Sequence, residues 1–334
     1  MAKLKVAVLG GGSWGTTVAA LTARNTEVTI WARNPDTVEE INRDHTNRTY
    51  LPDATLPDTL RATNDIGEAV GGADVVVMGI PSQNFRLVLD EVRNHLRAWV
   101  PVISLTKGLE LDTRMRMTQI IDELLPGHPT GVLSGPNLAR EIMSGQAAAS
   151  VIAMDDEVIC RTLQTVFASG LFRVYTNTDV VGCELGGVLK NIIAIAVGMG
   201  DGQGAGDNTR AALITRGLAE MTRLGVAMGG RARTFSGLAG MGDMIATCTS
   251  PQSRNRHVGM ELGKGKTMDV IAEEMFMVAE GAKSAPAVIA LAEEHRIDMP
   301  ISRDVYRVIS GETTARGAYR GLLRTAAGSE AEPG

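Results

Sequence analysis

The segment Lys5-Val-Ala-Val-Leu-Gly-Gly-Gly-Ser-Trp-Gly-Thr-Thr-Val-Ala-Ala20 decides the fold of this chain. Its apolar residues 6–9 predict a buried strand, which breaks into glycines and continues as small helix-forming residues. Gly10, Gly12 and Gly15 have the spacing G-x-G-x-x-G, which lets backbone approach a pyrophosphate at a helix N-terminus. A tight strand-to-helix corner without a ligand is the alternative, but the position between a strand and a helix favours dinucleotide binding.

The composition indicates a globular chain and excludes several kinds of partner. With 334 residues, 44% of them hydrophobic, the chain is long enough for two domains. Its net charge of −5, with both signs spread along the sequence, provides no basic surface for nucleic acid or an anionic membrane. Cys160, Cys183 and Cys248 suit neither a disulfide framework nor a zinc motif, and their odd number fits reduced thiols.

No targeting, membrane-spanning or metal-binding pattern is predicted. The N-terminus lacks an apolar stretch of signal-peptide length, and no run reaches the roughly 18 apolar residues of a spanning helix. The five histidines form neither an i, i+4 pair nor an H-E-x-x-H pattern, so no metal site is expected. We therefore predict a cytoplasmic protein without stable membrane insertion.

Strand-like and helix-like segments alternate through the first half of the chain. The strands are predicted at residues 27–32, 61–64, 74–81, 102–105, 131–133, 147–154 and 173–175, with helices at 35–44, 66–70 and 82–99. This alternation predicts an α/β protein with an N-terminal Rossmann-like, doubly wound, mostly parallel sheet. The later helices, at 193–197, 211–224, 269–277 and 285–294, predict an all-α C-terminal domain. The expected division is a dinucleotide-binding domain at 1–178, a helical substrate domain at 179–328 and a flexible tail at 329–334.

The residue that follows the second predicted strand bears on the choice of dinucleotide. About twenty residues after the glycines, an NAD enzyme usually places an acidic residue for the ribose 2′-hydroxyl, and this chain has Arg33 there. A guanidinium can bind the 2′-phosphate of NADP, although a solvated arginine is an equal alternative. The missing carboxylate favours NADP or relaxed use of both dinucleotides.

Lys190 is the most informative candidate for chemistry. It is the one charged residue of the apolar run 185–199, which predicts a buried helix. A buried ammonium has a lowered pKa unless it is paired, and such a lysine is a usable general acid and base. The alternative is a lysine that reaches the surface or pairs with Glu184. The neighbouring amide of Asn191, which could orient a substrate oxygen, favours catalysis.

A second lysine follows a predicted strand. Lys107, in Thr106-Lys-Gly108, stands at the carboxyl end of strand 102–105, which is the ligand side of a parallel sheet. A solvated turn lysine is the alternative. Two lysines in one crevice would suit an anionic substrate, and each would lower the pKa of the other.

Residues 236–256 contain a second polar cluster. Asp243 follows glycines and enters a helix, and Thr247 lies one turn later on the same face. Ser253, Arg254 and Asn255 open another helix, where free N–H groups, a hydroxyl and a guanidinium can hold a phosphate. Helix capping by Asp243 and Ser253 is an alternative that is compatible with ligand binding.

Six motifs, in chain order, resemble those of the bacterial-type NAD(P)-dependent glycerol-3-phosphate dehydrogenases, and together they span nearly the whole length. They are Gly10-Gly-Gly-Ser-Trp-Gly-Thr17, Ser104-Leu-Thr-Lys-Gly-Leu-Glu110, Ser134-Gly-Pro-Asn137, Leu189-Lys-Asn-Ile192, Gly237-Leu-Ala-Gly-Met-Gly-Asp243 and Thr247-Cys-Thr-Ser-Pro-Gln-Ser-Arg-Asn-Arg256. The resemblance implies NADP(H) and/or NAD(H) as cofactor and dihydroxyacetone phosphate and sn-glycerol 3-phosphate as substrates. It also implies a role in phospholipid synthesis.

The resemblance implies a role for each matching residue. Lys190 exchanges a proton with the C2 oxygen of the substrate, Lys107 contacts substrate and cofactor, and Asn191, Asp243 and Thr247 orient these groups. The implied substrate contacts, besides the lysines and Asp243, are Gly135, Asn137, Ser253, Arg254 and Asn255. The implied cofactor contacts, besides the glycines and Lys107, are Ser13, Trp14, Arg33, Ala139, Arg254, Val278 and Glu280. Position 137 is often Ser or Thr in the family and is Asn here, which affects the detailed bond to the ligand.

Two other classes of function remain as alternatives. A related two-domain dehydrogenase could act on a 3-hydroxy acid, a hydroxyacyl thioester or a nucleotide sugar. A non-catalytic dinucleotide sensor would keep the glycine turn but would not need Lys107, Lys190 and Asn191 together. The apolar helical half also predicts a homodimer.

Overall fold

The chain divides into two compact units. The computed structural model describes residues 3–275 and 279–322. The first unit comprises Met1–Thr106 and Met115–Val180, and the second comprises Lys107–Arg114 and Val181–Gly334. The predicted division at residue 178 stays a prediction, and it did not anticipate that the segment after Thr106 would group with the helical unit. The predicted tail at 329–334 lies outside the described residues.

The first unit contains an eight-stranded, mostly parallel sheet, which confirms the predicted fold class. Its strand order is β3-β2-β1-β4-β5-β6-β7-β8, and β7 runs antiparallel to β6. The other neighbouring pairs are parallel. The strands are β1 Lys5–Leu9, β2 Glu27–Trp31, β3 Arg61–Thr63, β4 Val75–Met78, β5 Val102–Ser104, β6 Thr130–Ser134, β7 Ala148–Met154 and β8 Phe172–Asn177.

Two hydrophobic clusters cover the two faces of this sheet. Side chains alternate along β1, so that Val6 and Val8 join one cluster while Ala7 and Leu9 join the other. Such double coverage explains why the parallel strands are continuously apolar. The covering helices are α1 Ser13–Thr22, α2 Pro35–Asp44, α3 Ile66–Val70, α4 Ser82–Arg93, α5 Met117–Leu124, α6 Ala139–Met143 and α7 Glu157–Phe167.

The strand order reverses at β1, which lies between β2 and β4. Ligands of open α/β sheets bind beyond the carboxyl ends of the strands at such a reversal. There the Gly79 N–H donates to the Leu9 carbonyl oxygen at 2.7 Å. Gly10 has φ 121°, and a Cβ on it would lie 2.4 Å from the Gly79 carbonyl oxygen. The first glycine of the turn is therefore required by both its backbone conformation and the close approach of β4.

One helix prediction in the first unit differs from the structure. The helix predicted at 82–99 ends at Arg93. Trp99 takes a left-handed backbone conformation, with φ 66°, which a right-handed helix does not allow. Helix α5 was not predicted from the sequence.

Helices form all the described regular structure of the second unit. They are α8 Val180–Gly202, α9 Asp207–Ala227, α10 Ala232–Phe235, α11 Asp243–Thr249, α12 Arg254–Gly263, α13 Met268–Glu274, α14 Glu280–Glu294, α15 Pro300–Ile309 and α16 Ala315–Leu322, with a π-helical turn at Leu238–Gly242 before α11. The predicted helix 193–197 is thus part of a much longer one. The helix predicted at 269–277 ends at Glu274, and the last residues of that prediction lie outside the described residues.

Helix α8 is the centre of the second unit. It has 23 residues and is long and apolar enough to cross a membrane by length and composition alone. Glu184, Lys190 and Asn191 interrupt the apolar sequence of the helix, so it does not contain an unbroken run of about 18 apolar residues. In addition, 89% of its most apolar window is buried inside the structure, as in the core helix of a globular domain.

Candidate functional site

A single buried carboxylate joins the two predicted lysines in the second unit. The Lys107 Nζ donates to Asp243 Oδ2 at 2.7 Å, and the Lys190 Nζ donates to Asp243 Oδ1. Asp243 is only 2% exposed. The three side chains come from the start of the 107–114 segment, from α8 and from the first residue of α11. Two cations and one anion leave this cluster with a net positive charge, which suits an anionic ligand.

Burial changes the acid strength of Lys190. Lys190 is only 5% exposed, and the burial of its ammonium away from water lowers its pKa to about 8. The Asp243 carboxylate raises this pKa and the Lys107 ammonium lowers it, so the pKa depends on both neighbours. The alternative in which Lys190 reaches the surface or pairs with Glu184 is wrong, because its ammonium lies against Asp243 and Thr247.

Thr247 holds the Lys190 ammonium from a second direction. Its hydroxyl accepts a hydrogen bond from Lys190 at 2.6 Å and donates to the Asp243 carbonyl oxygen at 2.7 Å. Thr247 is thus one turn along α11 from Asp243, as predicted. An ammonium has three N–H donors. Among the described residues, Asp243 and Thr247 take two of them, so the third can donate to a substrate oxygen.

Asn191 fixes the backbone of Lys107 through its side-chain amide. Its Nδ2 donates to the Lys107 carbonyl oxygen at 3.3 Å and to the Gly187 carbonyl oxygen at 3.2 Å. Its Oδ1 accepts from Asn255 Nδ2 at 3.0 Å, and Asn255 Oδ1 accepts from the Gly281 N–H at 3.0 Å. The resemblance implied a substrate contact for Asn255. The structure adds a role in orienting Asn191, which the sequence gave no sign of.

The N-terminus of α12 holds the other residues predicted for the substrate. The Ser253 hydroxyl accepts a hydrogen bond from the Arg256 N–H at 3.2 Å. Ser253 therefore caps the helix, which was the alternative to a direct ligand contact. Arg254 is exposed at the first turn. The surrounding protein lowers the pKa of its guanidinium, and the nearby Glu280 carboxylate acts in the opposite direction. Arg254 and Glu280, both predicted cofactor contacts, therefore influence each other electrostatically.

The glycine turn of the first unit fits a dinucleotide pyrophosphate. A Cβ on Gly15 would lie 2.0 Å from the Gly10 carbonyl oxygen, so Gly15 is required by close packing. A Cβ on Gly12 would instead meet nothing within 4 Å, so the space beside it can be taken by a ligand. Gly12 makes no side-chain cap, and the first turn of α1 has no acidic residue. Its N–H groups and helix dipole therefore favour a phosphate.

The other predicted cofactor contacts of the first unit lie near strand ends and helix starts. Ser13 begins α1, and its hydroxyl donates to the Tyr50 carbonyl oxygen at 3.0 Å. The Trp14 ring meets Phe172 edge-on at 6.2 Å between ring centroids. Arg33 is exposed directly after β2, and Ala139 begins α6. Val278 lies outside the described residues.

The loop after β6 contains the predicted substrate contacts of the first unit. Gly135 has φ 144°, and a Cβ on it would lie 3.1 Å from Ser150 Cα. The Asn137 Nδ2 donates to the Ser150 hydroxyl at 3.1 Å, which in turn donates to the Ser134 carbonyl oxygen at 2.9 Å. Within the described residues the buried Asn137 Oδ1 has no partner. The substitution of Asn at position 137 therefore leaves an acceptor oxygen for a ligand.

Each unit brings a part of the predicted set together. The second unit assembles the two lysines with Asn191, Asp243, Thr247 and Asn255, and the first unit assembles the glycine turn with Ser13 and Trp14. Sequence reasoning missed Asn47, which is completely buried against the glycine turn. It stands in a polar, proline-punctuated stretch that resembles an ordinary loop, so no local signal identified it.

Comparisons with known proteins match this chain over nearly its whole length. The sequence models for the N-terminus and the C-terminus of NAD-dependent glycerol-3-phosphate dehydrogenases match residues 5–160 and 179–320. A glycerol-3-phosphate dehydrogenase (NAD(P)+) 2 of Sphingopyxis alaskensis is 68% identical over 99% of this chain and 100% of its own length. A glycerol-3-phosphate dehydrogenase (NAD(P)+) of Mycobacterium avium is 55% identical over 99% of this chain and 97% of its own.

A solved structure gives the same result. The crystal structure of glycerol-3-phosphate dehydrogenase from Coxiella burnetii superposes with a TM-score of 0.92 at 37% identity, covering 97% of this chain and 99% of that one. The resemblance that rested on six motifs is thereby confirmed, together with the predicted fold class. This chain belongs to the family of NAD-dependent glycerol-3-phosphate dehydrogenases.

Proposed function

We propose that this chain is an NAD(P)-dependent sn-glycerol-3-phosphate dehydrogenase that interconverts dihydroxyacetone phosphate and sn-glycerol 3-phosphate. The observation that supports it best is the buried Lys190 ammonium, held by Asp243 and Thr247 with a pKa of about 8. A general acid and base works best when its pKa is near the working pH. The names of the relatives support the same substrate and the same cofactors.

The proposed mechanism assigns the proton to Lys190. A dinucleotide held at the glycine turn would supply the hydride chemistry at C2 of the substrate, and the residues of this chain would handle the proton. During reduction, protonated Lys190 donates a proton to the C2 oxygen as it gains negative charge. During oxidation, the neutral amine removes the hydroxyl proton. Lys107 adds a second cation that stabilises the developing alkoxide, and Asn191 holds the Lys107 backbone in place through the bond to its carbonyl oxygen.

The substrate phosphate is assigned to the start of α12. Arg254 offers a guanidinium there, and the helix N-terminus favours an anion. We expect Arg254→Ala to raise the KM for dihydroxyacetone phosphate at least tenfold, since a charge-assisted bond is worth about 1.5–3 kcal/mol. The side chain is exposed, so the thermal midpoint should change little. Steady-state kinetics and a thermal scan test both expectations, and an unchanged KM would contradict the assignment.

The Lys190 pKa predicts the pH dependence of both directions. The value of kcat/KM for glycerol 3-phosphate oxidation should rise with pH and level off above about 8, where the amine is neutral. The value of kcat/KM for dihydroxyacetone phosphate reduction should fall with rising pH over the same range, because less of the lysine is protonated. Asp243→Asn should move this transition to lower pH, because it removes the carboxylate that raises the Lys190 pKa, and Lys107→Gln should move it to higher pH. Shifts in the same direction in the two variants would contradict the assignment of the transition to Lys190.

The cofactor assignment stays broad. Arg33 favours a 2′-phosphate, and the relatives carry NAD(P)+ in their names. We therefore assign NADP(H) and/or NAD(H). The glycine turn, Ser13 and Trp14 are among the dinucleotide contacts that we assign to the first unit.

One experiment separates this function from its alternatives. NADH and NADPH consumption is measured with dihydroxyacetone phosphate, and reduction of NAD+ and NADP+ is measured with 3-hydroxybutyrate. Turnover of the triose phosphate alone is expected. Turnover of the hydroxy acid would favour a related dehydrogenase, and dinucleotide binding without any turnover would favour a sensor.

Three further assignments complete the proposal. We infer a cytoplasmic enzyme that supplies the glycerol phosphate backbone of phospholipids and has no membrane-inserted segment. We also infer a homodimer. Val226, Ile245 and Val270 are 45%, 45% and 42% exposed on helices of the second unit, and such apolar surface is commonly buried between subunits.

A further inference from the structure

A loop at residues 45–51 is fastened to the glycine turn on one side and to helix α2 on the other. The loop is internally compact, because the Leu51 N–H donates to the Asn47 carbonyl oxygen at 2.8 Å. On the α2 side, Glu40 Oε1 accepts from the Thr46 hydroxyl at 2.8 Å and from the Arg48 N–H at 2.9 Å. On the α1 side, the loop is bonded to the first residues of the helix that follows the glycines.

Asn47 makes the central bonds of this loop. It is 0% exposed, and its Nδ2 donates to the Gly11 carbonyl oxygen at 2.8 Å and to the Thr16 hydroxyl at 2.9 Å. Both N–H groups of the amide are therefore used. A carboxylate has no N–H to donate, and an aliphatic side chain would leave the Gly11 oxygen without this partner. The position accordingly needs an amide.

These bonds control a peptide group in the glycine turn. The Gly11 carbonyl and the Gly12 N–H belong to one planar trans peptide, in which they point in opposite directions. Holding the carbonyl toward Asn47 therefore sets the direction of the Gly12 N–H. The Ser13 hydroxyl donates to the Tyr50 carbonyl oxygen at 3.0 Å, so the same loop also sets the orientation of the next residue.

We infer that Asn47 is a positioning residue for dinucleotide binding, which acts by holding the Gly11–Gly12 peptide in the orientation that a pyrophosphate requires. The inference rests on the proposed function, since it assumes that the glycine turn binds NAD(P)(H). Asn47 touches neither the substrate nor the hydride in this account. Its loss should therefore weaken dinucleotide binding and leave turnover at saturating dinucleotide unchanged.

The test compares direct binding with stability. Asn47→Leu and Asn47→Asp are expected to raise the Kd for NADPH, measured by fluorescence titration, about tenfold or more, because neither leucine nor a carboxylate can donate the hydrogen bond to the Gly11 carbonyl oxygen. The KM for NADPH should rise in parallel while kcat stays at the wild-type value. Glu40→Ala, which removes the Glu40 bonds to Thr46 and to the Arg48 N–H at a less buried position, should raise the Kd by a smaller factor.

A second asparagine in the same unit, at an exposed position, provides the control. Asn42 Nδ2 donates to the Ala62 carbonyl oxygen and its Oδ1 accepts from the Ala62 N–H, both at 2.8 Å, so it bonds α2 to β3. Asn42→Leu should lower the thermal midpoint but leave the NADPH Kd unchanged. Wild-type affinity in both Asn47→Leu and Glu40→Ala would overturn the inference, and Glu40→Ala decides alone if the Asn47 variants do not fold. Absence of NADPH and NADH binding by the wild-type protein would instead overturn the proposed function.

Discussion

Lys190→Met is expected to lower kcat for dihydroxyacetone phosphate reduction by about 10²–10⁴-fold, the usual contribution of a general acid. Methionine keeps an unbranched side chain of similar length in the buried helix, so the loss should reflect the missing amine and not a cavity. The Asp243 carboxylate keeps Lys107 as its cationic partner at 2.7 Å, so no buried charge is left without a counterion. The kinetics should be accompanied by a titration of NADPH, whose Kd is expected to stay at the wild-type value.

The control and the reverse experiment make this prediction specific. Lys264 follows α12 in the same unit and is paired with Glu261, with half of its side chain exposed. Lys264→Met should keep wild-type kcat. Adding a small primary amine to Lys190→Ala, which leaves space where the lysine side chain was, should restore part of the activity, because a free amine can exchange the same proton. Near-normal turnover without added amine would show that another group donates the proton.

The residues next to Lys190 were enough to predict its role, whereas its partner Asp243 was indicated only through the resemblance to the family. A lone charge in an apolar run must be buried or paired, and this inference needs only neighbouring residues. Asp243 lies 53 residues further along the chain, so its bond to Lys190 depends on how α11 packs against α8. The neighbouring residues predict that Asp243 lies at the start of a helix, but they do not show which lysine or arginine its carboxylate pairs with.

The same limit applies to the fold and to the loops. Continuous apolar runs revealed the parallel strands, because both faces of the sheet are covered. The grouping of Lys107–Arg114 with the helical unit left no local sign, since this segment directly follows a strand of the other unit. Asn47 was also invisible, because buried and solvated asparagines look alike in a polar loop. Long-range contacts therefore account for most of what sequence reasoning missed.

The second large effect is expected where helices α8 and α12 cross. A Cβ on Gly198 of α8 would lie 2.1 Å from the Arg256 carbonyl oxygen. Reciprocally, a Cβ on Gly259 of α12 would lie 2.0 Å from the Ile195 carbonyl oxygen. The obstructing atoms are backbone, so no side chain can rotate away and the helices themselves must separate. Glycine is therefore needed at both positions by close packing.

Gly198→Ala is expected to destabilise the second unit by about 3 kcal/mol or more, the upper range for overpacking. Intrinsic helix propensity acts in the opposite direction, since alanine is better than glycine by about 1 kcal/mol. Gly200→Ala separates the two effects on the same helix, because its Cβ would lie 3.5 Å from Ala205 Cβ and 3.7 Å from Leu213 Cδ1, in ordinary contact. Gly200→Ala should therefore be neutral or stabilising in urea denaturation followed by circular dichroism.

The crossing also connects stability with catalysis. Asn255 lies in the first turn of α12 and orients Asn191 of α8 at 3.0 Å, so displacing α12 from α8 should disturb the amide that holds the Lys107 backbone. At a temperature where Gly198→Ala is still folded, we expect its kcat to be lower than that of Gly200→Ala. Equal stability and equal kcat in the two variants would mean that the helices can move apart at little cost, and that their close crossing does not position the lysine site.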